Sequence, residues 1–285
     1  MKTIIKPINA VALLLSLIAT SGSALEEGNR VENFRLMDHQ GASHELHYFA
    51  DAPAIVLMTH STSCSTMPQN LQRLTSLQTQ FSPTGAEFML INSDLSDRRT
   101  TVAASVADVD FPILMDPTQI IGESLRADTA GETLVVNPRD WTLAYRGDVT
   151  GAAQAVAQLV AGDEVSVDSQ PITSADCAVD FPELARRSEH KNISYAKTIA
   201  PMLNDNCVSC HRDGGIGPWA MTDYNMVRGF SLMIREVVRT QRMPPWHADP
   251  HVGQFSNDRS LSDDEIRTLV HWVEAGAPRG EGADL

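Results

Sequence analysis

Short apolar runs separated by an amphipathic stretch mark the first hundred residues of the chain. Residues 54–58 and 87–91 are almost wholly apolar, and runs of that length predict strands buried on both faces. Between them, apolar residues recur at helical spacing from Leu71 to Phe81, which predicts a helix that packs one face on those strands. The pattern therefore predicts a strand–helix–strand unit.

A hairpin and a closing helix extend this pattern. Residues 133–136 and 143–145 are apolar and flank Asn137-Pro138-Arg139-Asp140, a turn signal that predicts a β-hairpin. Residues 152–161 predict a last helix. Strands and helices that alternate and end in a hairpin favour a three-layer α/β domain, to which we assign residues 25–162.

The second half of the chain has a different character. Residues 163–192 carry Asp, Ser, Pro and Glu with little periodicity, which is typical of a linker or a peripheral segment. From residue 193 the pattern is helical, with one stretch leading to Cys207 and another over residues 226–239. Residues 193–285 are therefore predicted to form a small all-α domain.

Capping signals support these helices. Ser194 is placed to cap the helix that leads to Cys207, with a kink expected at Pro201. Ser262-Asp263-Asp264-Glu265 is a capping box ahead of an apolar face, and Gly276 is placed to end that helix.

The N-terminus has the features of an export signal. A basic start, an apolar run at residues 11–19 and small residues before Ala24 predict a secretory signal peptide over residues 1–24. Retention as an uncleaved anchor is the alternative. The apolar run is short for a membrane span, so we expect a periplasmic protein whose mature chain has no span.

The net charge of the chain limits the classes of molecule that it is expected to bind. The formal net charge is -14, and loss of Lys2 and Lys6 with the leader makes it two units more negative. A surface this acidic argues against nucleic-acid binding and predicts a partner protein with a basic docking face.

One pentapeptide carries the clearest chemical signal in the chain. Residues 207–211 are Cys-Val-Ser-Cys-His, which is the C-x-x-C-H attachment pattern of a c-type haem. Two thiols at this spacing can each bond one vinyl group of the porphyrin, and His211 is then held under the iron as the proximal ligand. We predict one haem c.

Two other interpretations of these cysteines remain open. Cys207 and Cys210 with His247 and His251 have the ligand types of a Cys₂His₂ zinc site, although the gap between the pairs is long and leaves His211 unexplained. A redox disulfide between Cys207 and Cys210 is the second alternative.

The order of motifs after the haem signature resembles a class I-like cytochrome c domain. The motifs are Cys207 to His211, Gly215-Ile216-Gly217-Pro218, Met243-Pro244-Pro245-Trp246 and the capped helix. The longer stretch from Arg242 to Pro250 is similar to the cytochrome modules of bacterial proteins that join a redoxin domain to a haem domain, some of which carry a copper monooxygenase domain as well.

This resemblance implies roles for individual residues. It implies thioether bonds at Cys207 and Cys210, and a Pro218 carbonyl that accepts the other imidazole N–H of His211. It implies Met243 as the distal iron ligand, and His/Met ligation raises the reduction potential. The alternatives to Met243 are other nearby side chains: Met221, Met226, Met233, His247 and His251. Trp246, Trp219 and Trp272 are expected to pack against the porphyrin or the core.

The α/β half resembles thioredoxin-like proteins of the redoxin and peroxiredoxin kind. Cys64 follows the first buried strand and precedes the Leu71 helix, where such proteins place their attacking cysteine and where a helix N-terminus lowers a thiol pKa. Met67 stands where a resolving cysteine is usual, and Gly131 where a cis-proline is usual. A dithiol of the C-x-x-C kind is therefore not expected.

Three interpretations of Cys64 follow. It is a leftover of a degenerate scaffold, or a redox-reactive thiol that Cys177 could resolve, or a copper(I) ligand together with Met67 and His60. The fourth cysteine of the chain, Cys177, lies in the linker-like segment.

We therefore expect a thioredoxin-like domain followed by a cytochrome c-like domain. The expected function is electron transfer through the haem, with the thioredoxin-like domain as a scaffold or an accessory redox module. The alternatives are a thiol-dependent reductase or peroxidase that uses Cys64 with the haem, and a copper-handling factor.

Overall fold

The computed structural model describes residues 25–106, 109–245, 249, 252–256 and 258–282. The predicted leader and the side chains of Trp246, His247 and His251 lie outside these residues. None of the helices in the described part of the chain is both long and apolar enough to cross a membrane.

A seven-stranded sheet forms the centre of the first half, with the order β2-β1-β5-β4-β3-β6-β7. The strands are β1 (Arg35–Asp38), β2 (Ser43–Glu45), β3 (Ile55–His60), β4 (Glu87–Asn92), β5 (Ile113–Met115), β6 (Thr133–Asn137) and β7 (Thr142–Gly147). The three central strands β3, β4 and β5 are parallel, whereas the flanking strands pair antiparallel. The predicted buried strands and the hairpin of β6 and β7 are confirmed.

Four helices accompany the sheet: α1 (Met67–Phe81), α2 (Arg99–Ser105), α3 (Ile120–Leu125) and α4 (Val149–Ala161). In α1 the buried residues are spaced as the sequence predicts, at Met67, Leu71, Leu74, Leu77 and Phe81. Helix α4 is capped by the Asp148 carboxylate, which accepts a hydrogen bond from the Gly151 amide, and it ends at Gly162 in a left-handed conformation.

The second half of the chain is helical. Among its described residues the helices are α5 (Pro182–Ala185), α6 (Ala200–Asn206), α7 (Tyr224–Gly229), α8 (Ser231–Arg239) and α9 (Asp263–Glu274). Ser194 caps a π-helical turn at Tyr195–Ile199, and α6 follows with Pro201 in its first turn. The predicted capping box of α9 is present, because Ser262 and Glu265 exchange hydrogen bonds between side chain and backbone.

The two faces of the sheet belong to two apolar clusters. Val56 and Met58 pack with α1 and α4 on one face, whereas Ile55 and Leu57 belong to the cluster on the other. This alternation follows from the period of two along a strand. The cluster that contains Ile55 and Leu57 continues into the helical half, where it includes the fully buried Trp272. The two halves therefore share one apolar core.

The segment predicted to be a linker or a peripheral segment packs along the α/β half. The Gln170 amide donates to the Arg146 carbonyl oxygen at 2.9 Å, and the Ile172 amide donates to the Glu132 carboxylate at 3.2 Å. These two hydrogen bonds anchor residues 170–172 of the segment against the α/β half.

Candidate redox site

Cys64 lies in a turn between β3 and the first turn of α1. Its amide donates to the Ser61 carbonyl oxygen at 3.3 Å, and its carbonyl oxygen accepts from the Met67 amide at 3.1 Å. The residue is only 3% exposed. Cys64 therefore sits at the N-terminal end of a 15-residue helix, where the helix dipole favours a thiolate.

Cys64 is joined to Cys177 in a disulfide bond that spans 113 residues of sequence. Cys177 is 1% exposed and belongs to the segment predicted as a linker or peripheral segment. Of the three interpretations of Cys64, this finding favours a thiol paired with Cys177. In the disulfide form Cys64 has no thiolate to offer a copper ion.

The segment around Cys177 pairs with the chain just before β6. The Ala130 amide donates to the Cys177 carbonyl oxygen at 2.7 Å, and the Val179 amide donates to the Asp128 carbonyl oxygen at 2.9 Å. Thr129 and Ala178 form an antiparallel β-bridge between them. We call residues 177–181 the strap, because this segment lies across the chain at 128–130.

The far end of the strap is also anchored. The Gln119 side-chain amide donates to the Asp180 carbonyl oxygen at 2.7 Å. The Phe181 ring lies so close to Gly122 in α3 that a Cβ atom built on the glycine would be 2.7 Å from the ring. Gly122 therefore permits the close approach of the strap to α3.

Thr66 is the polar neighbour of both sulfur atoms. Its hydroxyl oxygen is 3.4 Å from Cys64 Sγ and 3.4 Å from Cys177 Sγ. A disulfide sulfur has no hydrogen to give, so the hydroxyl is the donor to one sulfur at a time. Nothing in the local sequence pattern marked Thr66, because its role depends on Cys177, 111 residues away.

Gly131 stands at the position where related folds place a cis-proline, and its conformation excludes proline. Its φ angle is +90°, whereas the proline ring holds φ near -65°. A Cβ atom at this position would lie 2.2 Å from the Asn70 side-chain nitrogen. Both the positive φ angle and the contact with Asn70 therefore require glycine at position 131.

His60, at the end of β3, is a buried and neutral base. The Asn92 side-chain amide donates to its Nδ1 at 3.0 Å, so the ring hydrogen must be on Nε2. Nε2 is buried and has no hydrogen-bond partner among the described residues. Burial lowers the pKa of His60 to about 4, against an opposing attraction to Asp97.

The C-x-x-C-H residues begin at the C-terminal end of α6, where Cys207 is the C-cap residue. The His211 amide donates to the Cys207 carbonyl oxygen at 3.0 Å, which continues the turn. Cys207 and Cys210 are free and half-buried thiols. Burial, with smaller contributions from Cys210 and Glu265, raises the pKa of Cys207 to about 11.

The His211 ring is oriented by a backbone carbonyl. Its Nδ1 is 3.0 Å from the carbonyl oxygen of Trp219, so Nδ1–H is the donor and Nε2 is the nitrogen left for a ligand bond. The sequence-based expectation of a Pro218 carbonyl at this position is wrong by one residue. The loop is fixed by hydrogen bonds from the Gly217 amide to Cys210 and from the Met221 amide to His211, and these turn the Trp219 carbonyl towards the ring.

The donor set of these residues fits a haem c. Two free thiols at the required spacing stand beside an imidazole whose Nδ1 is held by a backbone carbonyl. The Trp219 ring lies 5.3 Å from the His211 ring and stacks on Phe230 at 4.3 Å. Large exposed apolar side chains are frequent in the same part of the chain: Ile216, Met226, Leu232, Met233, Met243, Val252 and Phe255.

The proposed distal ligand and its alternatives differ in exposure. Met243 is 38% exposed, so its sulfur can reach a group bound at the surface. Met226 and Met233 are exposed as well, whereas Met221 is buried. The histidines of the zinc alternative lie outside the described residues, and that alternative stays a prediction together with the assignment of Met243.

A cavity of about 980 Å³ lies between the two halves of the molecule. Its lining residues come from both halves, with Met115 and Ile120 on one side and Val238 and Ile266 on the other. Neither of the two cysteine pairs is among them. The cavity is therefore separate from the two candidate redox groups.

Comparison with known proteins supports the assignment of the first half. Residues 28–149 match the model of the AhpC/TSA family. A hypothetical protein from Sinorhizobium meliloti has 21% identity and a TM-score of 0.50, and the match covers 55% of this chain and 95% of that one.

Two further solved structures are similar over the same half. An uncharacterized conserved protein from Geobacillus kaustophilus has 23% identity and a TM-score of 0.48, with 55% and 93% of the two chains covered. The peroxidoxin BcpB from Mycobacterium tuberculosis has 19% identity and a TM-score of 0.40, with 48% and 97% covered. No curated protein matches the chain. Residues 28–149 thus match this redoxin family, and the first half of the chain has a thioredoxin-like α/β fold, which we call the redoxin domain after this match.

Proposed function

We propose that this protein is an exported redox protein with two centres, the Cys64–Cys177 thiol–disulfide pair and a haem c on Cys207, Cys210 and His211. The observation that carries the proposal is the disulfide at the N-terminal end of α1 in a redoxin domain. Its place is where a thiolate is stabilised, and its partner lies on a separate segment of the chain, 113 residues away.

The thiol–disulfide step is ordinary exchange chemistry. A thiolate of an external dithiol attacks one sulfur of the disulfide, forms a mixed disulfide and expels the other sulfur as a thiolate. The second thiolate of the donor then attacks the mixed disulfide, expels the remaining protein sulfur as a thiolate and leaves the donor as a disulfide. Two electrons and two protons thus pass to Cys64 and Cys177. The Thr66 hydroxyl is within reach of either sulfur and stabilises the one that leaves.

Access to the sulfurs depends on the strap. Both cysteines are almost fully buried, so an incoming thiolate reaches them only when residues 177–181 separate from residues 128–130. The exchange is therefore expected to be slow with large protein substrates and to depend on opening of the strap.

The second centre rests on the geometry of His211. When bound, a haem c supplies one-electron transfer at its iron. Cys207 and Cys210 are the residues that would hold it covalently, and the Trp219 carbonyl fixes the ring of His211, whose Nε2 would bind the iron. Met243 is the residue that we propose would supply the distal ligand.

A second candidate function is electron transfer alone, with the disulfide as a static crosslink. The burial of both sulfurs, at 3% and 1% exposure, favours it. The two candidates differ in the redox behaviour of the disulfide, because a working centre must be reduced under mild conditions whereas a static crosslink resists them.

One experiment distinguishes the two functions. The full chain is matured with the c-type haem machinery and equilibrated with dithiothreitol at increasing ratios, and the state of Cys64 and Cys177 is measured by alkylation and mass spectrometry. Reversible reduction of the native protein is expected, whereas reduction only on unfolding would leave electron transfer alone.

The haem is tested separately on the same preparation. Colour that survives acid–acetone extraction and a c-type reduced pyridine spectrum are expected. The Cys64→Ser variant is the matched control, since it should keep the haem spectrum and lose thiol exchange. A colourless protein, with zinc that is lost when Cys207 and Cys210 are replaced by serine, would overturn the haem assignment.

A further inference from the structure

Two histidines and two glutamates meet where the strap, the redoxin domain and the last helix come together. Glu123 lies in α3, Glu183 in α5, His190 in the 3-10 helix at Arg187–Asn192 and His271 in α9. We call these four residues the junction cluster. Its members come from three separate segments of the chain, and neither candidate redox centre uses them.

The junction cluster is close and buried. His271 Nε2 is 2.8 Å from Glu123 Oε2, and His190 Nε2 is 3.0 Å from Glu183 Oε2. The two imidazole rings stack with their centroids 4.1 Å apart and their planes within 11°. The ligand atoms of Glu183, His190 and His271 all lie within 4.8 Å of one another.

Burial makes this cluster costly without a positive partner. Glu123, His190 and His271 are 8%, 7% and 3% exposed, and a buried carboxylate loses its hydration. One oxygen of the Glu123 carboxylate, Oε1, is buried and has no hydrogen-bond partner among the described residues. A buried carboxylate oxygen without a partner costs free energy, which a cation bound nearby would offset.

We propose that the junction cluster binds one divalent transition-metal ion of the zinc type, with Glu183, His190 and His271 as ligands and Glu123 beside them. Imidazole and carboxylate are ligands that zinc and its neighbours accept. A tetrahedral site with bonds of about 2.0–2.1 Å has ligand atoms about 3.3 Å apart, so these side chains need small rotations to enclose an ion.

The charges and protons of such a site balance. Two carboxylates and two neutral imidazoles carry two negative charges, which one divalent ion neutralises. Each ring binds through a nitrogen without hydrogen and keeps its one proton on the other nitrogen. Glu123 holds the ring of His271 as a positioning residue.

A bound ion would join three segments that are far apart in sequence. It would tie α3 of the redoxin domain to α9 of the helical half, and both to the chain six residues after Cys177. Glu183 is the ligand with the most exposed side chain, at 21%, so it marks the side from which an ion enters. The site is therefore structural, and it anchors the end of the strap.

The test is zinc binding to the full chain after treatment with a chelator. Isothermal titration calorimetry should find one Zn²⁺ site per chain, and His190→Gln or His271→Gln should weaken it at least about 100-fold, the upper range for residues that only orient ligands. Glu123→Gln should weaken it about 10-fold. Far-UV circular dichroism of each variant verifies the fold.

Two controls separate this site from others. His44→Gln changes a histidine with a carboxylate partner at 2.8 Å elsewhere in the molecule and should leave binding unchanged. Replacement of Cys207 and Cys210 by serine should also leave zinc binding unchanged. In that variant, bound Co²⁺ should give visible bands without the near-ultraviolet absorption of a thiolate complex.

Thermal stability supplies a readout that does not depend on the titration. Zn²⁺ should raise the melting temperature of the wild-type chain, and the gain should vanish in the His271→Gln variant. Absence of binding in the wild type, or binding that persists in both histidine variants and disappears with the two cysteines, would overturn the proposal.

Discussion

The buried imidazole of His60 links one residue to the pH dependence of the whole protein. Its pKa of about 4 is well below the value of about 6.5 for an exposed histidine. Between these two pH values the unfolded chain binds a proton that the folded chain does not. The free energy of unfolding therefore falls as the pH falls from about 6.5 to 4, by up to about 3 kcal/mol from this group.

His60→Gln should remove this contribution. Urea unfolding at pH 7 and at pH 4.5 measures the difference, which should be smaller in the variant by about 2 to 3 kcal/mol. His44→Gln serves as the control, since it keeps His60. An equal loss of stability in wild type and His60→Gln would show that other groups dominate the acid response.

Met243 offers a second test at the scale of one side chain. A thioether bound to oxidised haem iron gives a weak near-infrared absorption band, and Met243→Ala should abolish it. Persistence of the band in this variant would move the assignment to Met226 or Met233, whose side chains are also exposed. Met221→Ala is a less suitable replacement, because that side chain is buried and its loss would disturb packing.

At the scale of an element, the capping box of α9 predicts a measurable stability. The Ser262 hydroxyl accepts from the Glu265 amide at 3.3 Å, and the Glu265 carboxylate accepts from the Ser262 amide at 2.8 Å. Ser262→Ala removes one of these bonds and should lower the free energy of unfolding by about 1 kcal/mol. Denaturant unfolding checks this value, and Ser260→Ala outside the helix is the comparison.

The strap is the second element whose contribution can be isolated. The disulfide closes a loop of 113 residues, and loss of the crosslink in Cys177→Ser should destabilise the protein by about 3 to 5 kcal/mol. Limited proteolysis should then cut within residues 163–192, which the wild type protects by its hydrogen bonds to the redoxin domain. An unchanged cleavage pattern would mean that these hydrogen bonds hold the segment without the disulfide.

At the scale of the whole molecule, the shared core predicts that both halves unfold together. The apolar cluster on one face of the sheet continues into the helical half through Tyr195, Ile199 and Trp272. Hydrogen bonds from Arg267 to the Pro117 and Thr118 carbonyl oxygens cross the same boundary. Thermal unfolding followed by far-UV circular dichroism and by tryptophan fluorescence should give one midpoint. Two separated transitions would show that the halves are independent.

Apolar periodicity and capping signals in the sequence predicted the longer strands and helices. The strands β3 and β4, the hairpin of β6 and β7, and the helices α1, α4 and α9 all follow apolar periodicity and capping. The short strands β1, β2 and β5 and the helix α3 were not predicted, because three to six residues hold too little periodicity to be distinguished from loops.

The C-x-x-C-H signature, the place of Cys64 before its helix and the absence of a nearby resolving thiol are properties of the sequence by itself. All three features are local, because each depends only on the spacing of residues along the chain. The pairing of Cys64 with Cys177, the Trp219 carbonyl on His211 and the junction cluster were decided only by tertiary structure. Each joins groups by loop conformation or across more than a hundred residues, and sequence spacing carries no information about such distances in space.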